Sequence, residues 1–304
     1  MRNNSILTIV ALLLLGLNAG AQQSLYDLKF RLSASNFVDT IPVECVDNRV
    51  VLPVSIGGRD YRFLFDTGAS QTTLYDDMPI EGTTVVGTTV SHDAMNRPDS
   101  VARVALPPMT IGAVTFTGCK AVVQKRIGKK AYGFDGIVGF DIICKGLNAK
   151  IDLRAGHIIL TDRSRLFSRE PGARIGYTLQ RHVPYVEVTP LPGFTERVLL
   201  DTGSPFLYMM NKQSFDRAEQ LHAEALSSML VDRTTGRYTM GHGGAEPVGE
   251  VVTMLLDSLQ TGRLTLYEVP VRTTQGLSHL GAGLLQLGTL VVCPQRRRLL
   301  FQPY

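Results

Sequence analysis

Apolar runs of strand length recur along most of this chain, punctuated by glycine, proline and asparagine: 101–106, 109–116, 121–123, 251–256 and 264–271. Short runs broken by turn residues at this spacing predict an all-β chain built from closed β lobes. One segment has a different period. From Ser214 onward, Phe215, Ala218, Leu221, Ala225, Leu226 and Met229 recur at helical spacing, so 214–230 is expected as a short amphipathic helix capped by Ser214. Between 163 and 175, Ser164, Arg165, Ser168, Arg169, Glu170, Pro171 and Gly172 collect between strand-like runs. Such a stretch marks a boundary between two halves, 22–168 and 169–304.

The first 21 residues stand apart. An almost unbroken apolar run from 6 to 17 follows Arg2, and Ala19-Gly20-Ala21 supplies small residues behind it. A spanning helix needs about 20 apolar residues, so this run is expected as a signal peptide over 1–21, not a stable membrane anchor. The alternative is an uncleaved signal anchor. Residue 22 is Gln, which offers no cysteine for lipid attachment. The mature chain is therefore expected to be exported, either periplasmic or secreted. Its 31 basic and 27 acidic residues leave a net charge of +4, too slight to argue for nucleic acid. The basic clusters at 125–130 and 296–298 lie between strand-like runs and read as solvated turns.

Cys45, Cys119, Cys144 and Cys293 allow three full pairings, and nothing in the spacing chooses among them. An exported chain can hold disulfides, and one bridge with two buried thiols is as consistent as two bridges. The spacing matches no zinc site and there is no His-Glu-x-x-His, so neither metal nor other cofactor is expected.

The chemistry sits in a repeat. Arg62-Phe63-Leu64-Phe65-Asp66-Thr67-Gly68-Ala69-Ser70 is matched by Arg197-Val198-Leu199-Leu200-Asp201-Thr202-Gly203-Ser204-Pro205. In each copy an apolar strand ends in a carboxylate, a hydroxyl residue and a glycine, which carries the acid out of a buried strand into a turn. A lone copy would read as a strand-end turn with the Asp bonding its own backbone. Two copies in matched contexts point to a carboxylate pair.

These loops resemble those of the retropepsin-like and pepsin-like aspartic proteases. The likeness extends to Gly136-Ile137-Val138-Gly139-Phe140-Asp141, to the hairpin 150–160, to the upstream run 49–58, and to second-half counterparts at 183–188, 290–294 and 298–301. It implies a two-lobed protein with Asp66 and Asp201 as catalytic residues, held by the active-site loop residues Thr67, Gly68, Ala69, Thr202, Gly203 and Ser204. The threonine hydroxyls would lock the loops together, and the glycines would let backbone N–H groups reach the carboxylates. One chain supplies both aspartates, so dimerisation is not required.

Two apposed carboxyls share one proton and titrate together. Such a pair acts as joint general base and acid on a bound water and a peptide carbonyl. The substrate would be a peptide or protein lying extended as an added strand. A glycine-bearing hairpin over the site is expected at 234–244, with Gly241, His242 and Gly243 as the candidate flap; 82–98 occupies the corresponding place in the first half. Ser204 offers a hydroxyl to Asp201 where Ala69 offers Asp66 nothing, which would leave the shared proton mainly on Asp66.

Two departures mark the second half. His279-Leu280-Gly281 places a polar residue where the first half has Ile137, and Asp152 corresponds roughly to Val292. The expected activity is an exported aspartic endopeptidase. Its rivals are a catalytically silent peptide binder of the same fold and a serine esterase or metallohydrolase, the latter opposed by the absence of Gly-x-Ser-x-Gly and of zinc spacing.

Overall fold

The computed structural model describes residues 30–92, 97–126, 133–241 and 244–304; for 236–241 and 244–248 it describes the backbone alone. The apolar pattern folds as all-β, two-lobed architecture. In the first lobe Arg49–Ile56 and Arg59–Asp66 form an antiparallel hairpin. Gly57 (φ +60°) and Gly58 (φ +80°) turn it. Two consecutive positive φ values suit the right-handed twist of the flanking strands, and glycine adopts them without steric cost.

The two lobes are built to one plan. The strand ending at Asp66 pairs in parallel with Gly136–Gly139, which pairs antiparallel with Thr73–Tyr75, which pairs in parallel with Lys120–Gln124. Beyond that lies the hairpin Thr84–His92 and Pro98–Ala105. In the second lobe the strand Phe194–Asp201 takes the same course through His279–Gly281, Tyr208–Asn211 and Leu264–Thr274. The hairpin of Leu230–Gly241 and Gly244–Thr261 then closes the series. Order and strand sense agree at every step.

A six-stranded sheet joins the lobes. Asn148–Asp152 and Gly288–Cys293 meet antiparallel at its centre, with Lys150 opposite Val291. Outside them lie His157–Thr161 and Arg298–Pro303, then Val38–Pro42 and Ala173–Gly176. The two-fold pattern of this sheet sets Ala149 against Val292 and Ile151 against Leu290, so the counterpart of Asp152 is Cys293 rather than Val292. Buried apolar residues from both lobes, among them Phe63, Phe65, Phe140, Tyr208, Phe215 and Phe301, form one continuous core. Each side chain of this kind contributes about 1.5–3 kcal/mol through burial.

The helix is Lys212–Met229, two residues longer at its start than the apolar spacing indicated. Its N-cap is Asn211, not Ser214: the Asn211 side chain accepts the N–H of Gln213 at 2.8 Å. Ser214, Phe215, Ala218 and Leu226 are buried, whereas Leu221 is 68% exposed. His222 leaves helical geometry (φ −138°, ψ 38°), and this kink rotates the apolar stripe out of register around Leu221. All four cysteines are free thiols. Burial pushes Cys119 and Cys144 up to about 12, so both are held as neutral thiols.

Candidate active site

Each aspartate stands at the last position of its strand, opposite the final glycine of the parallel neighbour: Asp66 faces Gly139 and Asp201 faces Gly281. Behind each loop a short 3-10 turn follows that glycine, Phe140–Ile142 in one lobe and Ala282–Gln286 in the other. The first N–H of each turn holds the loop's carbonyl, from Phe140 to Ala69 at 2.8 Å and from Ala282 to Ser204 at 2.7 Å. The loops are thus anchored from behind by equivalent backbone bonds.

They are also tied to each other. The Thr67 N–H donates to Thr202 Oγ1 at 3.0 Å and the Thr202 N–H to Thr67 Oγ1 at 3.1 Å. In turn Thr67 Oγ1 donates to the carbonyl of Leu200 at 2.7 Å, and Thr202 Oγ1 to that of Phe65 at 2.8 Å. Both threonines are buried. Each hydroxyl uses its one proton and accepts one N–H, so the four bonds form a closed, satisfied network that fixes one loop against the other.

Asp66 Oδ1 accepts the N–H groups of Gly68 at 2.7 Å and Ala69 at 3.2 Å; Asp201 Oδ1 accepts those of Gly203 at 3.0 Å and Ser204 at 3.2 Å. The two carboxyl groups are in hydrogen-bond contact with each other. Their closeness explains the glycines more fully than the approach of N–H groups does. A Cβ on Gly68 would lie 2.8 Å from Asp201 Cγ, and one on Gly203 would lie 2.5 Å from Asp66 Cγ. Each glycine makes room for the carboxyl of the opposite loop.

Burial pushes the Asp201 carboxyl above its usual range, with the hydrogen bonds from Asp66 and from the Gly203 and Ser204 N–H groups acting the other way. A carboxyl pair so placed holds a proton where an isolated aspartate would have lost it. Tyr185, on the strand Val183–Leu191, lies near enough for the charge of Asp201 to act on its hydroxyl.

The structure redirects one expectation. His279, the polar residue at the position of Ile137, bonds the carbonyl of Leu277 through Nδ1 at 2.9 Å and Ser204 Oγ through Nε2 at 2.8 Å. The Ser204 hydroxyl consequently goes to His279 rather than to Asp201. Of the candidate flap, Gly241 ends its strand in the 230–241 hairpin arm, while His242 and Gly243 lie outside the described residues. In the first lobe, 93–96 at the end of the corresponding hairpin lie outside them as well.

A sequence model of the family described as Aspartyl protease matches residues 52–142, which hold the first aspartate loop and the Gly139 turn. Over that stretch the chain resembles the aspartic protease family. The fold carries the likeness through the second lobe. The structure of aspartic proteinase from Irpex lacteus superposes with a TM-score of 0.53 over 88% of this chain and 97% of that one, at 14% identity. Basic 7S globulin from soybean superposes with a TM-score of 0.52 over 87% of this chain and 94% of that one, at 11% identity. At such identities the two structures speak for the fold alone. No curated protein sequence matches the chain. Among the described residues no group of three or more metal-binding side chains occurs.

Proposed function

We propose that this protein is an aspartic endopeptidase, in which Asp66 and Asp201 together activate a water molecule against a peptide carbonyl. The observation that supports it is the mutual fit of the two loops: each glycine leaves space for the opposite carboxyl, and four threonine hydrogen bonds hold that approach. One ionised oxygen takes a proton from the water while the shared proton is given to the carbonyl oxygen, and no covalent intermediate is formed. A binder that only held peptides would gain nothing from bringing two acids together at the cost of their desolvation.

The substrate is an extended peptide adding a strand between the two hairpins, 84–105 and 230–261, with side-chain pockets on alternate sides. Export follows from the N-terminal segment, with the mature chain starting at Gln22 in the periplasm or outside the cell. Intact-mass measurement of the purified native protein decides this point, since retention of Met1 contradicts it. Activity is tested by digesting a peptide library with the mature chain in ¹⁸O-labelled water. Internal cleavages carrying ¹⁸O in the new carboxyl termini are expected. Saturable peptide binding without cleavage would establish the silent binder instead.

A further inference from the structure

The lobes differ at one matched pair of positions beside the carboxyls. In the first lobe Ala69 packs on the apolar cluster of Val51, Leu64, Tyr75, Phe134 and Ile137. The strand registers equate Ile137, opposite Leu64, with His279, opposite Leu199; Ala69 and Ser204 likewise follow equivalent glycines. An apolar pair, Ala69 with Ile137, is therefore replaced in the second lobe by a hydrogen-bonded polar pair, Ser204 with His279.

The direction of that bond can be assigned. The Leu277 carbonyl only accepts, so the proton of a neutral imidazole sits on Nδ1 and leaves Nε2 as an acceptor. Ser204 then donates to Nε2. We propose that His279 is a positioning residue that captures the Ser204 hydroxyl proton and so withholds it from Asp201. Without this capture a rotation about the Cα–Cβ bond of Ser204 would turn the hydroxyl toward the carboxyl that its own N–H already bonds. The two lobes then present their carboxyls with equivalent backbone donors despite the different residues behind them.

Burial holds His279 below its usual pKa, which keeps the imidazole neutral and able to accept; the Leu277 bond and the charge of Asp66 act the other way. Other ionisable groups around it are Asp201 at the end of the parallel neighbouring strand and Tyr208 on the antiparallel neighbour, whose hydroxyl donates to Glu196. Glu196 in turn accepts from Ser278 Oγ at 2.9 Å.

The inference rests on Asp66 and Asp201 acting as a titrating pair, but its test needs no turnover. Carboxyl ¹³C NMR of aspartate-labelled protein follows the pair in four forms: the native chain, Ser204→Ala, His279→Ile and the double variant. With His279 present, removing the hydroxyl should leave the lower ionisation of the pair almost unmoved. In the His279→Ile background the same removal should raise it by roughly one pH unit, the scale of a hydrogen bond to a charged group. An equal effect in both backgrounds, whether null or large, overturns the proposal. Where His279→Ile does not fold, ¹⁵N NMR of the native chain replaces it. A protonated Nδ1 and an Nε2 resonance that shifts on Ser204→Ala are expected, and a protonated Nε2 near neutral pH overturns the assignment. Loss of the protease reading would show separately, as absent hydrolysis with these titrations intact.

Discussion

Gly203 is the residue on which the geometry of the pair bears hardest. A methyl group there would sit 2.5 Å from both Cγ and Oδ2 of Asp66, well inside van der Waals contact. The rigid threonine network leaves the loops little room to part, so the strain falls on the carboxyl. Gly203→Ala should lower kcat/KM by about a hundredfold through misplacement of the acid, with an overpacking cost of roughly 1–3 kcal/mol. Steady-state kinetics and thermal unfolding on one preparation check both. At this scale Asp66, Asp201, Thr67, Thr202 and the glycines were legible in the sequence because a repeat displayed them. The partners that tune them were not. His279 and Ser204 lie 75 residues apart, and no local pattern announces that their side chains meet.

Among the elements, strands were read more accurately than the helix. Strand-length apolar runs mark strands wherever both faces are buried, as in Arg49–Ile56. The helix start was misplaced because Asn211 belongs to the preceding strand and caps by a side-chain bond that no spacing rule reveals. Asn211 is doubly used, since its Nδ2 also donates to the carbonyl of Gly276 at 2.6 Å. Asn211→Ala should therefore cost at least about 1 kcal/mol in stability, whereas Ser214→Ala should cost clearly less than a lost cap, because Ser214 lies inside the helix rather than at its start. Denaturant unfolding of both variants measures the contrast. Equal losses would return the cap to Ser214. The parallel pairing that places Gly139 beside Asp66 is a crossover of more than 70 residues in each lobe; its existence could be expected only from the family resemblance, not from periodicity.

For the molecule as a whole, the central sheet makes one body of two similar lobes, and their remaining differences predict its response to pH. Asp141, buried behind the first loop and bonded by Thr72 Oγ1 at 3.0 Å, is pushed up to about 7 by burial. An acid whose folded value lies above its unfolded value binds more protons in the native state between the two. Its contribution to stability is therefore full below about pH 4 and declines as pH rises to about 7, by a few kcal/mol at most. The Asp201 carboxyl, also raised, works in the same direction. Thermal midpoints should fall between pH 4 and 7.5, and Asp141→Asn should flatten that fall; an unchanged slope in the variant would remove Asp141 from the account. A chain more stable in acid suits the proposed mechanism, in which the carboxyl pair keeps one proton.

Hydrolysis by the native chain beside Asp66→Asn and Asp201→Asn tests the shared pair most directly. All three should unfold cooperatively with native-like midpoints, and each variant should lose at least about a thousandfold in kcat against an internally quenched peptide at mildly acid pH. Substantial cleavage by either folded variant would contradict a mechanism that needs both carboxyls.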